Sequence, residues 1–96
     1  MLKYIVLFKF RDPEACLPTV IEKLHGMVGK IPEILSMETG ADIWHNGARS
    51  YDLALTCTFR DLAAIEAYDK HPAHEEAREY IYAHRIDGKT VVYEIV

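Results

Sequence analysis

Hydrophobic residues alternate with small or polar ones in four stretches of the chain. A period of two places successive side chains on opposite faces of a β-strand. The pattern is clearest in the first and third stretches and weakest in the second, and the last stretch is rich in β-branched residues. The sequence therefore predicts four strands, over Leu2–Phe10, Leu35–Trp44, Tyr51–Phe59 and Thr90–Val96.

A spacing of three and four residues predicts helices between these strands. Arg11-Asp12-Pro13-Glu14 is a loop whose residues are typical of a helix start. From Leu17 to Ile31 the apolar residues form one stripe, and Gly29 and Pro32 indicate its end. After the third strand, Asp61 is a suitable N-cap because its carboxylate can accept from the amides of a first helical turn. Pro72 ends that helix and can begin another, since proline is tolerated in a first turn.

Glycines indicate where the remaining changes of direction occur. Asn46-Gly47 predicts a hairpin turn between the second and third strands. Asp87-Gly88 predicts a turn into the last strand, and Gly40 suggests a bulge or a close backbone approach.

The resulting order, β-α-β-β-α-(α)-β, is the split βαβ pattern of ferredoxin-like α+β domains. We expect a single domain over residues 1–96, with a four-stranded antiparallel sheet and its helices on one face. The other face would be too apolar to remain in water, so a second copy of the sheet is expected to cover it with two-fold symmetry. That face carries Ile5, Leu7, Ala54, Thr56 and Thr58.

Composition narrows the classes of function. The net charge of −4 gives no basic face for nucleic acid or anionic lipid. No apolar run is long enough for a transmembrane helix, and the N-terminal run is broken by Lys9, which does not fit a signal peptide. Cys16 and Cys57 match no metal or redox spacing and are expected to be buried, reduced thiols. We therefore expect a cytoplasmic protein.

Tyr68, His71 and His74 would meet at the break between the last two helices. His74 can act as a general base, and Tyr68 can donate a hydrogen bond to a carbonyl or enolate oxygen. His71 either faces a ligand or caps the helix after Pro72. His-x-x-His with an intervening proline is a weak metal signal, so no metal is expected. Glu75, Glu76 and Glu79 with Arg78 predict a solvated helix face with local charge pairs.

Three segments resemble the signature of the stress-responsive A/B barrel domain family, the dimeric α-β barrels known as Dabb. They are Tyr51-Asp52-Leu53, Phe59-Arg60-Asp61-Leu62 and, most specifically, the Tyr-x-x-His-Pro-x-His run from Tyr68 to His74. The resemblance implies a ferredoxin-like protomer that pairs with an identical partner through its sheet to form an α/β barrel.

The resemblance also implies a chemistry. Some plant members of this family are polyketide cyclases, whose tyrosine and second histidine would correspond to Tyr68 and His74, and they need no cofactor. Tyr4 and Leu53 stand where those cyclases carry histidines. We therefore expect Tyr68 and His74 to be catalytic. His71, Tyr4, Phe8, Leu53 and Trp44 are the expected ligand-binding residues, although the aromatic ones among them also suit a plain core.

Three hypotheses follow. The first is a homodimer that binds a small, mostly apolar or aromatic carbonyl compound and transfers a proton in the manner of a cyclase. The second is a non-enzymatic stress-protective dimer or assembly, and the third is a cofactor-free monooxygenase of the same architecture. A cavity of a few hundred Å³ beside Tyr68 would favour ligand binding. Closure of the site by Leu53, Tyr4 and Trp44 would favour the structural role.

Overall fold

The computed structural model describes residues 1–96 and confirms the α+β ferredoxin-like architecture. Four strands form one antiparallel sheet in the order β2-β3-β1-β4. Every helix is too short or too polar to cross a membrane. The elements are β1 (Leu2–Phe10), α1 (Pro13–His25), β2 (Ser36–Ala41), a 3₁₀ turn (Gly47–Arg49), β3 (Leu53–Phe59), α2 (Leu62–Lys70), α3 (Pro72–His84) and β4 (Arg85–Glu94).

Alternation along the strands separates a buried face from an open one, as predicted. The inward-facing residues of β1 and β3 form the core with residues of all three helices, among them Val20, Leu24, Tyr68 and Ile81. The opposite face has no protein layer over it in the protomer, and Val91, on the edge strand β4, is 52% exposed there. The cross-strand register places three rows on this face, Ser36–Thr58–Lys3–Tyr93, Glu38–Thr56–Ile5–Val91 and Gly40–Ala54–Leu7–Lys89.

Side-chain caps fix the start of each helix. The carboxylates of Asp12 and Asp61 accept from backbone amides in the first turns of α1 and α2, the latter at 2.9 Å from the Ala64 amide nitrogen. Pro13 and Pro72 occupy first-turn positions, where the missing N–H removes no helical hydrogen bond. The predicted cap and break around α2 are therefore confirmed.

The predicted first helix was wrong at its C-terminal end. It starts at Pro13 with Asp12 as its cap, as the helix-start residues at 11–14 indicate, and it ends at His25 rather than near Gly29. The amides of Met27 and Val28 bond to carbonyls three residues earlier, at 3.1 and 3.2 Å, so the last turn tightens and the helix stops. Gly29 lies beyond this turn with φ +89° and reverses the chain.

The second and last strands also differ from their predicted bounds. β2 stops at Ala41 because the Asp42 side chain accepts from the His45 amide at 2.7 Å and turns the chain. Gly40 is neither a bulge nor a close approach, since the β2–β3 register is unbroken there and the space around it is open. Asp87-Gly88 is not a turn: α3 leads directly into β4, and Gly88 pairs with Phe8 inside the sheet.

Candidate functional site

Tyr68 and His74 meet where α2 gives way to α3. Tyr68 lies in the last turn of α2 and is 2% exposed, and His74 lies in the first turn of α3. The extended backbone of His71 and the following proline fold the two helices so that both side chains point to the same place. Their ring centroids are 4.4 Å apart with an interplanar angle of 50°. The structure thus brings together the two residues that the sequence predicts as catalytic.

A cavity of about 100 Å³ lies beside this pair, between the sheet and α3. Tyr4 enters it from β1, with its ring centroid 5.8 Å from that of Tyr68 in an edge-on arrangement. Ten of its fifteen lining residues are hydrophobic. The lining residues are Tyr4, Val6, Phe8, Leu24, Met27, Leu55, Tyr68, Asp69, His74, Ala77, Arg78, Ile81, Tyr82, Arg85 and Thr90.

The hydrogen bonds of His74 determine which ring nitrogen can act as a base. Its Nδ1 lies 3.0 Å from the backbone carbonyl oxygen of Asp69 and 3.0 Å from Nη2 of Arg78. That Nη2 makes two shorter contacts, each 2.8 Å, with the Asp69 carbonyl and with Oε1 of Glu75. Since one guanidinium nitrogen has two hydrogens, these contacts occupy both. His74 therefore keeps its proton on Nδ1 and donates it to Asp69, which leaves Nε2 with a free lone pair.

Burial sets the protonation states around the cavity. Desolvation is the main cause that lowers the pKa of His74 below its usual 6.5, so the imidazole is neutral at neutral pH. Desolvation also raises the pKa of Tyr4 to about 12 and raises the pKa of Tyr68 still further. Among the tyrosines, only Tyr51 donates its hydroxyl proton within the protein, to Asp87. The Tyr4 and Tyr68 phenols are therefore protonated donors beside a neutral imidazole acceptor.

The other predicted site residues lie partly elsewhere. Tyr4 and Phe8 line the cavity. His71 does not, because it caps α3: its Nδ1 accepts from the Ala73 amide at 3.0 Å, as in the capping alternative. Leu53 and Trp44 border a separate open groove between the sheet and the β2–β3 loop, where Trp44 is 68% exposed. Neither closes the cavity beside Tyr68.

Asp69, Arg78, Tyr82 and Arg85 line the cavity but were not predicted. Arg78 was expected on a solvated helix face, yet 73% of its side chain is buried, and Nε is buried without an acceptor. Its predicted local charge pair is present, with Glu75 at 2.8 Å. The missed signal is the spacing of α3, since His74, Arg78 and Tyr82 recur every four residues and share a face.

Family membership follows from the sequence profile of the Stress responsive A/B Barrel Domain (Dabb), which matches residues 2–96. The chain belongs to the stress responsive A/B barrel domain family. Among curated proteins, none is significantly similar in sequence to this Dabb chain.

Solved structures resemble the Dabb chain over nearly its whole length. A dimeric protein of unknown function with a ferredoxin-like fold from Bacteroides fragilis has 27% identity and a TM-score of 0.87, with 98% of this chain and 95% of that chain covered. A dimeric ferredoxin-like protein of unknown function from Thermobifida fusca has 27% identity and a TM-score of 0.85, with 98% and 90% covered. A hydroxynitrile lyase from Passiflora edulis has 16% identity and a TM-score of 0.85, with 99% and 93% covered, and shares the fold.

Proposed function

We propose that this Dabb protein is a homodimer that pairs through the open face of its sheet. The centre of that face is apolar or short in side chain, with Ile5 between Thr56 and Val91 in the middle row. Charged side chains, among them Lys3, Glu38 and Lys89, lie toward its margins. An apolar centre with a polar rim is typical of protein interfaces. The two relatives with 27% identity are described as dimeric, which supports the same assembly here.

We further propose that each protomer binds a small, mostly apolar carbonyl compound beside Tyr68 and His74 and moves a proton on it. The observation that supports this is the pairing of a neutral, base-competent imidazole with a protonated phenol, 4.4 Å apart between ring centroids, at a cavity. General bases work best when they are unprotonated at the working pH. Burial lowers the pKa of His74 and raises the pKa of Tyr68, which favours both of these protonation states at neutral pH.

In this reaction His74 removes a proton from the carbon next to the carbonyl group. The C–H electron pair becomes the C=C bond of an enolate, and the carbonyl π pair moves to oxygen. The Tyr68 hydroxyl donates a hydrogen bond to that oxygen, where charge develops. The Nδ1–H of His74 stays bonded to the Asp69 carbonyl and steadies the imidazolium. The enolate then takes a proton back, or attacks a second carbonyl in an aldol-type closure.

The test uses 2-butanone as a probe and follows deuterium incorporation at its α-carbons in D₂O by proton NMR. His74→Ala should lower the protein-catalysed rate by about 10²-fold or more, the usual contribution of a general base. Tyr68→Phe should lower it by about tenfold or more through loss of the donor. His84→Ala is the matched control, because His84 is on the same helix and bonds through Nδ1 to the Tyr80 carbonyl at 2.8 Å but does not line the cavity.

Exchange at the buffer rate in the unsubstituted protein would refute the proposed proton transfer. Equal exchange rates in the unsubstituted protein and His74→Ala would refute the role of His74. A loss of the same size in His84→Ala would show that the effect comes from the stability of α3.

The size of the cavity supports a second candidate, a non-enzymatic stress-protective dimer or assembly. A cavity of about 150 Å³ is known to take up benzene, and the cavity here is smaller, at about 100 Å³. That is less than the few hundred Å³ typical of small-molecule sites. In this candidate, Tyr68 and His74 serve the packing of the two helices. The exchange assay separates the two functions directly.

A further inference from the structure

Two arginines line the cavity beside a single acidic residue. Arg78 and Arg85 both border it, and Asp69 is the one carboxylate there. Arg78 is partly neutralised, since its Nη2 lies 2.8 Å from Glu75 and 3.7 Å from Asp69. Arg85 forms no ion pair, and its guanidinium lies over the Tyr82 ring at 4.1 Å from the centroid. A chain with a net charge of −4 therefore keeps an uncompensated cation at this cavity.

The Arg78 side chain also presents an unused donor. Its Nε is buried and has no acceptor within the protein. A buried donor left without a partner costs about 1–3 kcal/mol. Because that nitrogen is closed to solvent, it does not serve as a donor to a ligand, and Arg85 is the residue with free charged donors at the cavity.

Gly88 makes room for the Arg85 guanidinium. A Cβ at position 88 would lie within 3 Å of Nη1 of Arg85, closer than side-chain atoms approach in real proteins. Gly88 has no positive φ, so its backbone conformation does not require glycine. A side chain at position 88 would therefore displace the flexible end of Arg85 from its place against the sheet at the cavity.

We propose that Arg85 binds the carboxylate of a short keto acid whose carbonyl group lies beside Tyr68 and His74. The proposal rests on the proposed function for the position of the carbonyl group, and it adds the substrate class. Guanidinium groups suit carboxylates because their N–H donors match the two oxygens. The hydrophobic residues of the wall would hold the short carbon chain, and the volume of about 100 Å³ suits a short acid better than a fused aromatic one.

The test compares pyruvate with pyruvamide, which has nearly the same shape and no charge. Dissociation constants are measured by NMR titration for the full chain and its variants. The unsubstituted protein should bind pyruvate more tightly, and Arg85→Gln should weaken pyruvate binding about tenfold or more, the usual loss of a charge-assisted hydrogen bond. Binding of pyruvamide should change less than about twofold. Arg49→Gln is the matched control, because Arg49 is exposed on the β2–β3 loop.

Gly88→Ala provides a second variant that keeps every charge and displaces the guanidinium. It should weaken pyruvate binding while leaving pyruvamide binding within the same twofold limit. An absence of saturable pyruvate binding, an equal affinity for the two probes, or an Arg85→Gln variant with unchanged selectivity would overturn the proposal.

Proton transfer is scored separately by deuteration of the pyruvate methyl group. Suppose that His74→Ala abolishes deuterium exchange at the pyruvate methyl group, while Arg85→Gln leaves the preference for pyruvate over pyruvamide unchanged. The anion site is then refuted and the proposed function stands. Binding that depends on Arg85 with no exchange in any variant would support the anion site and refute the chemistry.

Discussion

Substituting Val91 with lysine tests the dimer proposal on the open face of the sheet. Val91 lies on β4 beside Ile5, in the middle cross-strand row, and is 52% exposed in the protomer. Lysine there should be tolerated by the isolated protomer, because surface substitutions usually change stability by less than about 0.5 kcal/mol. In a dimer, each subunit would place one lysine ammonium group in the interface.

The expected loss follows from the exposure of Val91. Full burial of a valine side chain contributes about 1.5–3 kcal/mol. Since roughly half of Val91 is already covered, the dimer gains about 1 kcal/mol from each copy and about 2 kcal/mol in total. Losing that term weakens dimerisation about thirtyfold. Repulsion between two ammonium groups, and between each and the neighbouring Lys89, adds to the loss.

Analytical ultracentrifugation over a range of micromolar concentrations measures the result. The unsubstituted protein should sediment at twice the 11.0 kDa of one chain, and Val91→Lys should shift toward the single chain. Leu62→Lys is the matched control, since Leu62 is 63% exposed on α2, in the helix layer away from the open face. Dissociation constants for Val91→Lys and Leu62→Lys that agree within error would refute the interface. So would an unsubstituted protein that is monomeric throughout.

Two further predictions concern the histidines at the α2–α3 junction. Because burial lowers the pKa of His74 below its unfolded value of 6.5, the unfolded chain binds more protons there as the pH falls. The contribution of His74 to the free energy of unfolding is fully present above pH 6.5 and is lost as the pH falls through the folded pKa. Urea unfolding between pH 7 and 5 should therefore show a smaller loss of stability in His74→Gln than in the unsubstituted protein. The same dependence of unfolding free energy on pH in both proteins would contradict this. His71→Ala should lower the free energy of unfolding by about 1 kcal/mol through loss of the helix cap. His71→Asn should retain most of that stability, because the asparagine side chain can also accept from the Ala73 amide. Equal losses in both variants would exclude the cap.

The parts of the fold predicted from sequence are those that local chemistry determines. β1 and β3 carry strict alternation, and Asp61 and Pro72 act within one helical turn of themselves. The end of α1 depends instead on contacts across the protein. Met27 and Ile31 are both needed in the core, and a tightened turn rather than a longer helix places them there. No periodicity in the chain distinguishes these two solutions.

The site was predictable to a similar extent. Tyr68 and His74 are six residues apart around a helix break, so their proximity follows from short-range geometry. Trp44 lies on a loop whose path depends on where β2 ends. The hydrophobicity of Trp44 did not indicate which side of the sheet this residue borders. Arginine is a residue type that is usually exposed to water. The one sequence feature that indicated an inward position for Arg78 is its four-residue spacing from His74 on α3.

The Asp87-Gly88 pair shows how residues inside a strand can imitate a turn signal. In β4 each residue has another role. The Asp87 carboxylate accepts a hydrogen bond from the Tyr51 hydroxyl, with 2.5 Å between the oxygen atoms, and Gly88 leaves space for Arg85. Glycine weakens a strand interior, because it loses more backbone freedom on folding and has no side chain to pack. Gly88→Ala should therefore favour the strand unless displacing Arg85 costs more. If Gly88→Ala is more stable and loses the preference for pyruvate over pyruvamide, then glycine at this position lowers the stability of the strand and favours binding at the cavity.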